Sequence, residues 1–330
     1  MRILFLVDGE VHEPAARARV YDLAPALLKL GCDPRILSAS DRAGPGGWSR
    51  LLHAARWADV VVLQRILPPR SVLALLERIN PALVYDFDDA LHTLPALRER
   101  LRTMLQAVVE VVAGSEQLAH HARGCAKSVT VVPTVVEPAS YMPAADSTAG
   151  RPVRLGWIGT AGNLPFLEQV RPALGELGRR GRSFEVRVIS SAFPHWPELP
   201  LAPVPWSVDR APSALAALDI GLAPLPDTPW TRGKCGRKAV EYMASGLPVV
   251  AAPVGALSEI VVHGETGLLA AGQDEWVEHL DTLVIDAGLR RRFGFEGRRR
   301  VEERYSVAVA VPALVEVLQR AVTTVRRSAA

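Results

Sequence analysis

Short apolar runs alternate with longer stretches of helical spacing from the first residues onward, and this rhythm most constrains what the chain can fold into. A short apolar run bounded by turn residues reads as a strand buried on both faces, which a parallel sheet covered by helices provides. Ile3–Val7, Pro34–Leu37, Val60–Leu63, Leu83–Asp86 and Val108–Ala113 fit that reading, with helices starting near Pro14, Ser49, Ser71, Pro95 and Ser115. The order predicts a doubly wound α/β domain, whose ligand crevice lies outside the carboxyl ends of the strands. The residues to watch are then Asp8, Gly9 and Glu10, Gln64 and Arg65, and Asp86 to Asp89.

After a strand at Val129–Val132 the rhythm stops in a stretch carrying Pro133, Pro138, Pro143 and Gly150, the best linker in the chain. It then restarts, with strands expected at Arg154–Ile158, Glu185–Ile189, Ile220–Ala223, Val249–Ala251 and Gly267–Leu269, and helices from about Leu164, Ala211, Gly236, Gly255 and Asp274. A length of 330 residues suits two such domains. We place them at 1–140 and 141–305, followed by an amphipathic helix in 306–330 with Val307, Val311, Leu314, Leu318 and Val322 at helical spacing. Pro312 should kink that helix or mark its true start.

Composition narrows the class further. With 49% hydrophobic and 22% charged residues the chain is not a disordered one. No apolar run approaches the ~18–20 residues of a membrane span, and Asp8 and Glu10 interrupt the first run where a signal peptide would continue. Both points favour a cytoplasmic protein. Cys32, Cys125 and Cys235 are too scattered for a disulfide framework or a CxxC metal site. Of 38 basic residues only Lys29, Lys127, Lys234 and Lys238 are lysines, so two of them one helical turn apart merit a functional reading. The clusters Arg290–Arg292 and Arg298–Arg300 read as a solvated helix face, and no nucleic-acid partner is expected.

Two segments carry chemistry. Gly156–Asn163 follows a strand and opens a helix, a geometry in which backbone N–H groups approach an anion, though such turns also serve packing. Between Asp219 and Val250 a Pro-rich loop leads to Gly233–Gly236 and a short helix whose start lies close to Arg232, Lys234, Arg237 and Lys238. A diphosphate would be well held there; the alternative is a solvated basic helix end. Glu241 would then accept hydrogen bonds from ribose hydroxyls, or simply pair with Lys238 three residues away.

These segments, with Tyr85–His92, Ala113–Leu118 and Val131–Thr134, resemble the GT-B glycosyltransferases of family 4, also called glycosyl transferases group 1. The resemblance implies two Rossmann-like domains facing a cleft and a last helix returning to the first domain. It implies a nucleotide-diphospho-sugar donor on the second domain and transfer with retention of anomeric configuration to a glycan, lipid-linked or small-molecule acceptor. Donor contacts fall on Gly159, Thr160, Asn163, Arg232, Lys234, Gly236, Lys238 and Glu241, and the reacting end on Asp88, Asp89 and His92, which could orient the acceptor, move its proton or cap a helix. Three carboxylates together could also ligate Mg²⁺, yet the resemblance implies no obligatory metal and no tightly bound cofactor. Asp8, Gly9 and Arg19 would line the first domain's loop, where Arg17 and Arg19 meet a phosphate or an anionic acceptor unless both are exposed helix arginines. One departure stands out: the family often has two glutamates eight apart, and the first position is Gly233 here. That keeps two alternatives open, a catalytically degenerate nucleotide-sugar-binding protein and another GT-B enzyme such as a nucleotide-sugar epimerase. Peripheral contact with the inner face of the membrane stays open as well, as does the oligomeric state.

Overall fold

A computed structural model describes residues 1–38, 40–41, 46–143 and 150–329. Part of the expected linker, 144–149, lies outside the described residues. The chain forms two compact units, Met1–Val135 with Arg232–Cys235 and Val307–Ala330, and Val136–Thr231 with Gly236–Ser306. The short 232–235 segment therefore groups with the first unit, although its place in the sequence puts it in the expected second domain.

Each unit is built on a fully parallel six-stranded sheet. In the first, β1 (Arg2–Val7), β2 (Asp33–Leu37), β3 (Val60–Gln64), β4 (Leu83–Phe87), β5 (Glu110–Ala113) and β6 (Val129–Val131) lie in the order β2-β1-β3-β4-β5-β6. The direction of winding reverses between β1 and β3, so the crevice of this unit opens beyond Val7 and Gln64. In the second, β7 (Val153–Ile158), β8 (Phe184–Ser190), β9 (Leu201–Pro205), β10 (Ile220–Ala223), β11 (Val249–Ala251) and β12 (Gly267–Leu269) take the order β12-β11-β10-β7-β8-β9. Its reversal falls between β7 and β10, beyond which lie Gly159 and the loop leading to Gly233.

Strand β9 escapes the sequence reading because two of its five residues are prolines. It is an edge strand, and the Trp206 N–H donates to the Ser190 carbonyl at 3.1 Å. In an extended chain the N–H groups of 202, 204 and 206 point the same way, toward β8, so the nitrogens of Pro203 and Pro205 face outward where no donor is needed. Helix starts follow local chemistry. Ser115 accepts from the Leu118 N–H and Asp286 from the Leu289 N–H, capping the helices Glu116–Arg123 and Ala287–Arg304.

The last helix, Val307–Ala329, begins five residues before Pro312, so the proline lies inside it and does not start it. By length and composition Val307–Ser328 is long and apolar enough to cross a membrane, which corrects the run-length expectation. In the structure Val307, Val311, Leu314, Val317 and Leu318 are buried in the core of the first unit with Ile3, Phe5 and Val84. The basic clusters are also not simply solvated. Arg290 is buried and donates to the Leu283 and Val284 carbonyls, Arg298 to those of Pro138, Tyr141 and Ala244, and Arg300 to those of Glu259 and Ile260. They tie the helix Ala287–Arg304 to its neighbours as buried or partly buried staples.

Candidate functional site

In the second unit the reversal point is furnished by the turn after β7 and by the helix Arg237–Ala244. Gly236 precedes that helix with φ +66°, and a Cβ there would stand 2.4 Å from Ile260 Cδ1, so both conformation and space demand glycine. The first helical turn leaves backbone N–H groups without intrahelical partners. Lys238 reaches from this turn across the Trp157 ring, its ammonium 4.1 Å from the ring centre. The same ammonium lies 3.0 Å from where a Cβ on Gly159 would be, so Lys238 and the glycine turn are brought together. Thr160 and Asn163 continue that turn, joined by a 3.1 Å bond from Asn163 Nδ2 to Thr160 Oγ1. Trp157 was not singled out from sequence. It is fully buried and its indole N–H has no hydrogen-bond partner.

Glu241 is buried in the same helix, 7% exposed. Its Oε1 accepts from Arg237 Nε, one turn back on the same helix, at 2.9 Å and from the Tyr141 hydroxyl at 3.3 Å. Tyr242 follows. Its hydroxyl accepts from the Ile158 N–H and donates to the Leu222 carbonyl, pinning the helix to the carboxyl ends of β7 and β10.

The first unit concentrates polar groups at the carboxyl ends of β3 and β4. Arg19 is not an anion receptor on a helix surface: it is 3% exposed, forks onto both carboxylate oxygens of Asp86 at 2.9 and 2.6 Å, and donates to the Val132 carbonyl. Burial alone would lower its pKa, and Asp86 outweighs that and raises it. Asp86 is thereby committed to structure. Asp8 remains exposed after β1, and Gly9 is buried with Glu13 close above its Cα.

Asp88 and Asp89 differ although adjacent. Asp89 receives the Lys234 ammonium at 2.7 Å and lies 3.4 Å from the Arg65 guanidinium. Asp88 has one carboxylate oxygen shut from solvent with no hydrogen-bond partner. Burial, then the neighbouring Asp89, pushes its pKa up to about 6 against the pull of Arg65 and Arg19. His92 stacks on His121 at 3.8 Å, and burial, with His121 and Arg98, lowers its pKa to about 4, so it is a neutral ring near pH 7. Among the described residues no three His, Cys, Asp or Glu side chains converge on a possible metal position.

Gln64 and Arg65, at the carboxyl end of β3, and Tyr85 of β4 share this corner. Arg65 is the one described non-glycine residue at positive φ, +58°, a strained conformation that accumulates at functional sites. Burial would lower its pKa, and Asp88, Asp89 and Asp8 together raise it. Tyr85 is fully buried with its hydroxyl unpartnered, as are both amide atoms of Gln64. Buried polar atoms are nearly always paired, by protein, water or ligand. Gln64 and Arg65 are legible in the sequence as residues that end a strand; Tyr85, inside β4, is found only from its register beside β3.

Over 97% of the chain the fold superimposes on sucrose-phosphate synthase from Thermosynechococcus elongatus, with a TM-score of 0.78, 16% identity and 99% of that chain covered. Anabaena HepE, in complex with UDP and glucose, superimposes over 97% of this chain and 100% of its own with a TM-score of 0.71 and 17% identity. The chain thus has the GT-B fold of glycosyltransferases. Residues 203–286 match the family described as glycosyl transferases group 1, which makes that stretch, including the helix of Lys238 and Glu241, a group 1 segment. A D-inositol 3-phosphate glycosyltransferase of Stackebrandtia nassauensis is 38% identical over 100 residues, 29% of this chain and 23% of the length of that relative.

Proposed function

We propose that the chain is a retaining glycosyltransferase that takes a sugar from a nucleotide-diphospho-sugar. The observation that carries the reading is in the second unit, where the Lys238 ammonium, the Gly159 turn and the helix start at Gly236 meet at the sheet reversal, with buried Glu241 on the same helix. An ammonium and free backbone donors suit a diphosphate, and a carboxylate one turn on suits ribose hydroxyls. The UDP in the HepE complex supports the same donor class.

In this reading the acceptor, a carbohydrate or small molecule, meets the first unit, where Asp88 takes a hydrogen bond from its hydroxyl and Gln64 and Tyr85 offer further partners. The bond from the sugar anomeric carbon to the diphosphate oxygen breaks, and the acceptor oxygen bonds to that carbon from the same face. The acceptor proton passes to the departing diphosphate, whose charge Lys238 and the helix start stabilise without a metal. The charge pattern also supports action without a nucleic-acid partner, because much of the Arg290–Arg300 cluster is spent on internal carbonyls.

A thermal-shift screen of UDP-, GDP- and ADP-sugars tests the reading. A ligand at about 100 times its Kd stabilises by roughly 2.7 kcal/mol, and one of the three should do so. No shift with any of them, or a product of inverted anomeric configuration by NMR, refutes it. Tight binding with neither transfer nor hydrolysis would select the degenerate alternative.

A further inference from the structure

Gly233 lies on the first unit's Ala90 with no room for a side chain: a Cβ would stand 2.5 Å from Ala90 Cβ and 3.0 Å from both the Ala90 nitrogen and Cα. On either side the loop is fastened to the same turn. Lys234 Nζ donates to Asp89 at 2.7 Å, and the buried Cys235 thiol donates to the Asp88 carbonyl at 3.3 Å. Gly114, the neighbouring loop's glycine, makes the opposite concession, since a Cβ there would come within 2.6 Å of Cys235 Sγ.

We propose that Gly233 is a steric key that seats the 232–235 loop on the Asp88–Ala90 turn and so makes Lys234 the positioning residue that holds Asp89 apart from Asp88. The position at which the resembled family often has a glutamate is here one where any side chain would lift the loop away. The departure has a structural use: the glycine that stands in place of the carboxylate lets the loop sit down so that the next residue, Lys234, reaches Asp89. This rests on the reading above only in giving Asp88 a part in the reaction; the seating of the loop does not depend on it.

The charged and titratable groups facing Asp88 are Asp86 and Asp89 on its own segment, Arg65 beyond β3, Arg19 from the first helical segment, Tyr85 of β4, and Cys235. Lys234 acts through Asp89. With Lys234 removed, the negative charge of Asp89 is less compensated, which makes Asp88 harder to ionise. The acid limb of the pH–rate profile, set near 6 by Asp88, should then move up.

The experiment has two arms. Alkylation of each cysteine, mapped by peptide mass spectrometry without any substrate, reads the seating of the loop. In the parent protein Cys235 should be protected. In Gly233→Ala its rate should rise by at least about tenfold through local opening, while Cys32, buried in the core of the first unit, stays protected and certifies the fold. If Cys32 reacts as well, Lys234→Met takes the place of Gly233→Ala in this arm and should expose Cys235 with Cys32 protected. Protection of Cys235 unchanged in a folded variant overturns the seating.

The second arm follows turnover of the nucleotide sugar against pH. Lys234→Met should raise the acid limb by about one pH unit, and Lys234→Arg should bring it back. A limb that stays in place while the rate falls would make Lys234 merely structural and overturn its positioning role. Absence of turnover in the parent protein with every nucleotide sugar would sink the glycosyltransferase reading and leave the alkylation result standing.

Discussion

Asp88→Asn should make the protein more stable at neutral pH. A carboxyl whose pKa is about 6 in the fold, against an ordinary 3.8, holds its proton more tightly folded than unfolded. Its ionisation therefore costs stability: the cost is absent below the unfolded pKa, grows as pH rises between the two values and is complete above about 6. At roughly 1.36 kcal/mol per unit the full cost is about 3 kcal/mol. Asp88 is only half-buried, and water at its outer oxygen reduces the figure to about 1–3 kcal/mol. Urea unfolding of the parent and of Asp88→Asn at pH 8, 5 and 4 checks this. The variant should lead by that amount at pH 8, by about half of it at pH 5, and by about a fifth of it at pH 4. A variant less stable than the parent at pH 8, or one whose advantage does not change with pH, refutes the argument that burial beside Asp89 holds the Asp88 carboxyl up.

Glu241→Gln keeps the shape that Arg237 and Tyr141 need and removes the charge, so nucleoside diphosphate affinity by calorimetry should fall about ten- to a hundredfold, one charge-assisted bond being worth roughly 1.5–3 kcal/mol; unchanged affinity rejects the ribose assignment. Arg19→Met strands the buried Asp86 carboxylate and should cost about 3–5 kcal/mol of stability, while Arg19→Met with Asp86→Leu recovers most of it; a single variant as stable as the parent would show that the pair is not structural. Turnover should survive EDTA, since Lys238 and the helix start supply the positive charge at the diphosphate; loss of turnover restored by Mg²⁺ or Mn²⁺ would overturn that account.

What could be seen in the sequence was what local chemistry encodes. Val60–Leu63 and Leu83–Asp86 announce themselves because strands buried on both faces must be continuously apolar, and Ser115 because an N-cap is a local event. Strand β9 was hidden because its prolines are tolerated only by virtue of an edge position that the sequence does not display. The proposed donor side rests on similarly local signals: Gly236 precedes one short helix that carries Lys238 and Glu241. The acidic side was legible in its carboxylates and illegible in their division of labour. Asp86 answers to Arg19, 67 residues away, and Asp89 to Lys234, 145 residues away, so which of the three carboxylates stays available is decided by contacts that no local pattern records. Lys234, expected on the donor side, groups with the first unit, where it pairs with Asp89.

The return of the helix Val307–Ala329 to the first unit has a consequence for biosynthesis. The ribosome releases the chain in one direction, and the sheet core around Ile3, Phe5 and Val84 has to wait for Val307, Leu314 and Leu318 before its apolar face is covered. The second unit, contained wholly within Val136–Ser306, has all its parts earlier. The half of the protein made first is thus the half that can finish folding only last, and until then it is the half whose exposed apolar surface a chaperone would hold.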